Sequence, residues 1–329
     1  MKRVLTKQLN ELDVFKLSCV KPTEGKKLAF KGFTNALTCR GLQYVIGNSY
    51  KHDFGEVAVS VGGFHSCIKP LDVFLFYPPS IARYCIVETS GDTANCDSGR
   101  EQSSSEINLK QELSLSQFIT IGINEIVEEI SPSRIKSKAN NYSAISLIHD
   151  YSASINLGHC SISANAGDYS VATNNGNRCA STISGDQSVA INFGSYTVSS
   201  NTGNRSVSKT CGNYSVSAST GHNSVATALN DFSISTNIGE NSFSTCYGNY
   251  SVAVSSGDNS ASSVEGEHSI ALVSGLKSKA KAKRGSAITI AHRNKDNELI
   301  HIRSGIAGKD IKEDVWYTLD ENGEFIEQI

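Results

Sequence analysis

Several features that mark common protein classes are absent from this sequence of 329 residues. It contains no run of about 18 apolar residues, so we expect no membrane-spanning helix and no membrane partner. The opening residues, Met1 to Gln8, lack the apolar centre of a secretory signal peptide. The formal net charge is only −2, which indicates no electrostatic partner for the chain as a whole.

The cysteine and glycine patterns of disulfide-rich and metal-binding proteins are missing as well. Nine cysteines form no CxxC pair, and several replace small residues of a repeat. This pattern indicates free thiols in a reducing compartment, and we predict a cytoplasmic protein. Clustered zinc ligands and the Gly-Gly-x-Gly-x-Asp signature of calcium-binding rolls do not occur, so we predict no metal and no cofactor.

Glycine, by contrast, is plentiful and regularly spaced. The nine-residue period passes through Asn230 and extends back through His149 to Asn140, which makes sixteen units over residues 140–283. No insertion or deletion interrupts the period, as expected for a stack of equal half-turns. The glycines of the series are Gly158, Gly167, Gly176, Gly185, Gly194, Gly203, Gly212, Gly221, Gly239, Gly248, Gly257, Gly266 and Gly275.

Each unit predicts one short strand. Serine dominates position 4, valine or isoleucine position 5, and serine or alanine position 6, which is typical of an alternating strand between turns. Position 9 alternates between large residues such as Phe193 and small ones such as Ser184, so two units would form one coil of eighteen residues. We therefore predict a mainly β protein with a parallel β-helix or β-roll of eight coils.

The direction of the aliphatic row at position 5 is open. If it points inward, the monomer buries its own core. If it points outward, another subunit should cover it, which would favour a homo-oligomer, with a trimer as one form. The row that would form this oligomer stripe is Val189, Val198, Val207, Val216, Val225, Ile234 and Val252. We expect the asparagines that recur at position 8 to satisfy backbone groups at the coil turns.

The Gly-x-x-Ser-x-Ala pattern of the units resembles the head repeats of trimeric autotransporter adhesins, which form a left-handed β-roll. The resemblance covers about 140 residues of the sequence. It implies the architecture of the repeat. It also keeps a structural fibre or adhesin open as an alternative function.

The end of the repeat is basic. We divide the chain into a head at 1–135, a repeat at 136–284 and a β-hairpin cap at 285–329, the cap holding the only tryptophan. Alternation would place four lysines on one strand face, either as a solvated edge that blocks end-to-end stacking or as a strip for a phosphate-bearing partner. The candidate binding residues are Lys277, Lys279, Lys281, Lys283 and Arg284.

The head differs in composition from the repeat and is predicted to be α+β. Four of the five prolines lie in it before the junction at Pro132. The predicted strands are Gln43–Val45, Val57–Val61, Tyr84–Thr89 and Ile107–Leu115, and the predicted helices are Pro70–Phe76 and Ser116–Ile130.

Short motifs in the head carry the strongest resemblance. The sequence contains Lys-Gly-Phe at 31–33, Cys-Arg-Gly-Leu-Gln-Tyr at 39–44 and Gly-Phe-His-Ser-Cys at 63–67. These resemble an uncharacterised domain of phage and prophage proteins of gut bacteria, which precedes Gly/Ser/Ala repeats. That family carries no assigned activity. Because the repeat presents regular rows of side chains and no convergent acid–base set, we predict a non-enzymatic protein that binds a host protein or an anionic nucleotide-type ligand. The resemblance implies a bacterial host and a role in inhibiting antiviral defence.

An enzymatic alternative is also open. The head is loosely similar to ADP-ribosyltransferases, which implies that Arg40 would hold phosphate, His65 or Tyr44 would line the pocket, and Glu88 would be the catalytic carboxylate. The Ser-Thr-Ser strand motif of that family is absent, and the head contains no clear Glu-x-Glu. His65 and Cys67 could instead form a nucleophile–base pair, although no acid that would orient the histidine is evident.

Overall fold

A computed structural model describes residue 20 and residues 22–52, 56–59, 61–97 and 99–328. The chain divides into two compact units, Met1–Glu128 and Glu129–Ile329, which we call the head and the solenoid unit. The predictions made for Met1–Gln8 and for the Cys19 thiol lie outside the described residues. No described helix is both long enough and apolar enough to cross a membrane.

The strands of the head are β1 Lys27–Phe33, β2 Thr38–Cys39, β3 Leu42–Gln43, β4 Ser49–Lys51, β5 Phe64–Cys67, β6 Arg83–Asn95 and β7 Glu101–Leu113. Five of them form an antiparallel sheet in the order β4-β7-β5-β1-β6. Because β6 also pairs with β7, strands β5, β1, β6 and β7 close into a ring. β2 and β3 form a separate ribbon.

One α-helix, α1 Leu115–Glu129, packs on the head sheet through aromatic contacts. The ring of Phe118 stacks on Tyr84 at 4.4 Å between centroids and meets Phe30 and Phe74 at 5.9 and 5.8 Å. Since Phe118 is fully buried, the helix is anchored by apolar burial. This large aromatic core holds the strands that carry the head motifs.

Most element predictions for the head are confirmed. The predicted helices correspond to a 3-10 helix at Pro70–Leu75 and to α1, and a second 3-10 helix lies at Pro132–Arg134. The predicted strand Tyr84–Thr89 lies within β6, the predicted strand Ile107–Leu115 overlaps β7 but extends two residues beyond its end at Leu113, and β3 overlaps the predicted strand that begins at Gln43. The predicted strand at Val57–Val61 is wrong, because its described residues hold only a bridge between Ala58 and Gly62.

The repeat forms a parallel β-solenoid of two sheets, so the predicted fold class is confirmed. The first sheet contains β8 Ile135–Lys138, β10 Ala153–Asn156, β12 Val171–Asn174, β14 Val189–Asn192, β16 Val207–Thr210, β18 Val225–Ala228, β20 Phe243–Cys246, β22 Ala261–Val264 and β24 Lys279–Ala282. The second sheet contains β9 Ala144–Leu147, β11 Ile162–Asn165, β13 Ala180–Ile183, β15 Val198–Asn201, β17 Val216–Ser219, β19 Ile234–Asn237, β21 Val252–Ser255, β23 Ile270–Val273 and β25 Ala287–Arg293.

The register shows the eighteen-residue coil directly. Val189 pairs with Val207 in the first sheet, and Val198 pairs with Val216 in the second. The solenoid has about nine coils, and not the predicted eight. β8 lies before the first unit of the repeat and β25 lies after its last unit, so these two strands supply the additional coil.

Positions 4, 6 and 8 point inward, which answers the open question about the aliphatic row. Ser163 at position 6 donates to the Thr173 carbonyl at 2.9 Å and to Asn174 Oδ1 at 3.1 Å, which joins the two sheets through the interior. Alternation along a strand then places position 5 on the outer face. The interior is therefore a ladder of small and polar side chains.

The predicted role of the position 8 asparagines is confirmed. Asn192 Nδ2 donates to the Val198 carbonyl at 2.5 Å and to Ser199 Oγ at 3.0 Å. These bonds link the last residue of one strand to the first two residues of the next strand across the turn. Other asparagines that make the same bond to the next strand are Asn156, Asn165, Asn174, Asn201 and Asn237.

Glycine is needed at the repeated positions because a side chain would clash there, and not because of the backbone angle. A Cβ on Gly221 would lie 2.0 Å from the carbonyl oxygen of Gly203, one coil earlier. The left-handed position of each turn is instead position 3, where Tyr214 has a φ of 56°. A non-glycine residue there costs about 1–2 kcal/mol, so the stacking of turns outweighs this strain in every unit.

The interior becomes apolar towards the C-terminal cap. Position 8 is asparagine in β12 and β14, whereas Val264 and Val273 occupy it in β22 and β23. The cap is a pair of antiparallel hairpins, as predicted: β25 pairs with β26 Leu299–Ile306, and β27 Trp316–Leu319 pairs with β28 Phe325–Gln328. β27 also pairs with β24, so the cap covers the end of the first sheet.

Candidate functional site

The head motifs converge on one cavity of about 200 Å³. β1, the turn after β2, β5, the first 3-10 helix with the residues after it, and β7 each contribute to its wall. The lining residues are Phe30, Lys31, Gly32, Cys39, Arg40, His65, Ser66, Cys67, Val73, Phe76, Tyr77 and Glu101. The three motifs, distant in sequence, thus form one wall because β1 and β5 pair directly.

Lys31 is the most unusual residue of the cavity. Its side chain is 3% exposed, and its Nζ donates to the His65 carbonyl at 2.6 Å. The ammonium also lies 5.5 Å from the centre of the Phe33 ring, a cation–π contact. Burial lowers the pKa of Lys31, since removal from water disfavours the charged form.

The neighbouring histidine and the Cys67 thiol are held in their neutral forms. Burial, followed by the cations Arg40 and Lys31, lowers the pKa of His65 to about 4. Burial raises the pKa of Cys67 well above its ordinary value. A catalytic cysteine–histidine pair needs the opposite shifts, a thiolate beside an imidazolium, so the arrangement does not favour the nucleophile–base hypothesis.

The structure separates the residues of the ADP-ribosyltransferase hypothesis. Arg40 and His65 line the same cavity, whereas Glu88 does not. The Glu88 carboxylate accepts hydrogen bonds from the Thr23 backbone N–H at 2.7 Å and forms an ion pair with Lys110 at 3.2 Å. Burial alone would raise the pKa of Glu88, but these partners lower it. The predicted catalytic carboxylate therefore has a structural role.

Glu101 is the carboxylate that lines the cavity, and the sequence analysis did not single it out. Burial raises its pKa, against the effect of Arg40 and Lys31. Tyr77 closes the same wall, where its hydroxyl donates to Cys39 Sγ at 2.9 Å. No sequence signal identified Glu101 or Tyr77, because only the register of β5 against β7 brings Cys67 opposite Glu101.

The predicted oligomer stripe is divided between two sheets. Val189, Val207 and Val225 lie on the first sheet and are fully buried. Val198 and Ile234 lie on the second sheet and are 43% and 42% exposed. Val216 and Val252 belong to the second group. Residues nine apart fall on opposite sheets because one coil takes eighteen residues, so a single continuous stripe cannot form.

A row of aromatic rings precedes the second sheet and was missed by the sequence analysis. It occupies the left-handed position 3 of five alternate units, and its rings stack at 5.0–5.2 Å between centroids. Tyr196, Tyr214, Phe232 and Tyr250 are each about half exposed. Sorting position 3 by a period of eighteen would have shown the row. We call it the aromatic row, and it consists of Tyr196, Tyr214, Phe232, Tyr250 and His268.

Three of the basic residues at the end of the repeat, a group that we call the basic strip, form ion pairs, two of them with residues of the cap. Lys281 pairs with Glu265 at 2.8 Å, Lys283 with Asp314 at 2.8 Å, and Arg284 with Glu313 at 3.2 Å. These ion pairs leave less unpaired positive charge to bind a phosphate-bearing partner.

Only two of the predicted lysines share the outer face of β24. Lys279 and Lys281 lie 5.0 and 5.5 Å from the centre of the Trp316 ring. Lys277 occupies the left-handed turn before the strand, with a φ of 53°, and Lys283 follows the strand. The predicted single face of four lysines is therefore wrong, because the turn interrupts the alternation.

Acidic residues at position 2 bind backbone groups of the next coil. Asp168 Oδ1 accepts from the Asp186 N–H at 2.7 Å, and Asp186 Oδ1 accepts from the Asn204 N–H at 2.8 Å. Within the described ranges, no group of three or more His, Cys, Asp or Glu side chains could hold a metal ion. The eight cysteines among those residues are free thiols.

The comparisons with known proteins concern the head alone. Residues 27–121 match a family described as a domain of unknown function, DUF7666. This segment contains every residue that lines the cavity. No curated protein and no solved structure matches the chain.

Proposed function

We propose that the protein is a non-enzymatic binding protein whose second solenoid sheet presents a protein-binding face. The aromatic row carries this proposal. Five stacked rings at one turn, four of them about half exposed, keep apolar surface in water. Exposed apolar surface of this regularity is typical of an interaction site.

The chemistry of this face favours a protein as the partner. Positions 5 and 7 of β11 through β23 in the second sheet hold only aliphatic residues, serine and threonine, without one charged side chain. Interface cores of proteins are depleted of charge and enriched in tyrosine and phenylalanine, whereas nucleic-acid surfaces are basic. The face therefore fits a flat, uncharged protein surface and not an anionic nucleotide.

The length of the face supports the same conclusion. Seven second-sheet strands at about 4.8 Å spacing give a row of roughly 30 Å, comparable to a standard protein interface. A host protein as the partner, and inhibition of antiviral defence as the outcome, rest on the resemblance of the head motifs. We keep the host partner and the inhibition of defence in the proposal as hypotheses that rest on the sequence.

Two matched variants test the face. Tyr214→Lys with Ile234→Lys places two charges within it, because the side chains are 49% and 42% exposed. Asn259→Lys is the control, since it adds a lysine at the same turn position of the other series, where Lys277 already stands. Each protein is examined by native mass spectrometry alone and after incubation in a bacterial lysate.

The proposal expects a partner that the wild type and Asn259→Lys both retain and that the double variant binds at least tenfold more weakly. If the wild type alone is an oligomer that only the double variant dissociates, the occupant is a second copy. Equal binding by all three proteins, or a monomer without any partner, would contradict the proposal.

A further inference from the structure

Among the described residues, the buried amine of Lys31 in the head cavity forms no ion pair with a carboxylate. The Lys31 side chain is 3% exposed, and its contacts include the His65 carbonyl, the Cys39 sulfur and aromatic rings. Among the residues that the structure describes, no carboxylate forms an ion pair with Lys31. A buried ammonium without a counter-charge is unfavourable unless a ligand supplies one.

The other groups around Lys31 leave room for such a ligand. Arg40 adds a second cation to the wall, and Glu101 is the one carboxylate among the lining residues. His65 is neutral at pH 7 because burial lowers its pKa to about 4, and Cys67 remains a thiol because burial raises its pKa. When Lys31 is protonated, it and Arg40 give the lining two positive charges, and Glu101 is the one carboxylate that opposes them.

The size of the cavity limits the ligand. Its volume of about 200 Å³ is below the roughly 300–1,000 Å³ of sites that enclose drug-sized ligands. A dinucleotide such as NAD would not be enclosed, so the size of the cavity does not support the NAD-consuming hypothesis. A ligand of a few carbon atoms with one charged oxygen group would fit.

We propose that the head cavity binds a small anion whose carboxylate or phosphate oxygens pair with the ammonium of Lys31. Arg40 lies at the same wall and provides a second donor for the anion. The Cys39 sulfur and the Tyr77 hydroxyl, joined by a hydrogen bond, form a polar wall beside it. The site is independent of the protein-binding face of the solenoid.

Binding should be coupled to protonation of Lys31. Burial and Arg40 lower the pKa of Lys31 in the free protein, and a bound anion raises it. Between these two pKa values binding takes up a proton, so the affinity falls as the pH rises, and above both values it no longer depends on this group. The other titratable groups at the site are Cys39, Tyr44, His65, Cys67, Tyr77 and Glu101.

Calorimetric titration of the full chain tests the site with inorganic phosphate and, separately, with acetate, which distinguishes the two oxygen groups. We expect one saturable site for at least one of them. Lys31→Met should weaken it at least tenfold and abolish the dependence of the measured enthalpy on the buffer's ionisation enthalpy. Lys27→Met, an exposed lysine on the same strand, should bind as the wild type does.

The melting temperature separates loss of binding from loss of folding. Because Lys31→Met replaces an unpaired buried charge by an apolar chain, its unliganded form should melt no lower than the wild type. If Lys31→Met binds as tightly as the wild type, the anion occupies another site, such as the basic strip, and the proposal is wrong. It is equally wrong if neither anion saturates a site on the wild type.

Discussion

The head and the solenoid bury different kinds of side chain. The largest fully buried residues of the head include Tyr84, Phe33, Phe74 and Phe118, and the interior of the early coils consists of serine, alanine and asparagine. The head is therefore stabilised mainly by apolar burial, and these coils by hydrogen bonds that repeat from turn to turn. The contrast teaches that a small-residue core is adequate when most of its polar groups have partners that recur from coil to coil, although Ser154 Oγ and Asn165 Oδ1 have none.

The largest expected contrast is between glycines of the two units. Gly221→Ala should destabilise the solenoid by at least about 3 kcal/mol, because the new Cβ would lie 2.0 Å from the Gly203 carbonyl oxygen. Gly47→Ala should cost the head only about 1 kcal/mol, since its φ is +88° but nothing lies within 4 Å of the added Cβ. Denaturant unfolding measures both, and equal costs would contradict the stacking argument.

The two units should also respond to pH in different windows. His65 has a pKa of about 4 in the folded head against an ordinary 6.5, so the unfolded chain binds more protons between these values. The free energy of unfolding of the head should fall by up to about 3 kcal/mol as the pH decreases from 6.5 to 4. The α1 helical circular dichroism signal monitors this, and His65→Gln should remove the dependence.

Lys279 provides the corresponding test in the solenoid unit. Burial lowers its pKa to about 8 from 10.5, so the unfolded chain again binds more protons between those values. Stability of this unit should therefore rise as the pH increases from 8 to 10.5, and Trp316 fluorescence reports its unfolding. The Trp316 ring, 5.0 Å from the ammonium, favours the charged form and reduces the effect. A pH response that survives Lys279→Met would refute the assignment.

A smaller effect is expected from exchanging polar and apolar interior residues. Asn192→Val should cost about 2 kcal/mol, since Asn192 donates to Val198 and Ser199 and accepts from Ser181 at 2.8 Å. Val264→Asn should cost a similar amount, because the late coils offer apolar neighbours. If both variants are as stable as the wild type, the stability of a coil does not depend on whether its interior residue is polar or apolar. Hydrogen exchange shows which coils unfold locally in each variant.

The smallest expected change concerns the aromatic row. Tyr214→Asn loses stacking on Tyr196 and Phe232, worth about 0.5–1.5 kcal/mol each, but asparagine tolerates the φ of 56° better than tyrosine. The two terms oppose each other, so stability should change by less than about 1 kcal/mol. A loss of several kcal/mol by thermal unfolding would show that the row is part of the core and not a surface.

The period of nine residues was sufficient to predict the parallel solenoid, because a strand, a turn and a close backbone contact recur with it. The alternation at position 9 was sufficient to predict the eighteen-residue coil. The prediction of one continuous oligomer stripe was wrong because it took residues nine apart as neighbours, whereas Val198 and Val207 lie on opposite sheets. The aromatic row was missed because position 3 was described as variable within a nine-residue unit.

The cavity shows the limit of sequence analysis in the head. Lys31, Arg40 and His65 were all present in the quoted motifs, but the catalytic carboxylate was assigned to Glu88, which instead pairs with Lys110. Strand pairing determines which carboxylate lies near Lys31, Arg40 and His65, and the register of β5 against β7 brings Glu101 to that position. Distances along the sequence contain no information about that register.

Local repetition alone thus determined the architecture of the solenoid, because each unit repeats the same strand and turn chemistry and each stacked glycine faces the backbone of the turn one coil earlier. Only the tertiary structure decided which faces are covered, which lysines are neutralised by the cap, and where the unpaired ammonium of Lys31 lies. These properties depend on burial and on contacts between residues far apart in sequence. Burial sets the free energy of a charge and the exposure of an apolar row, and neither follows from the order of residues.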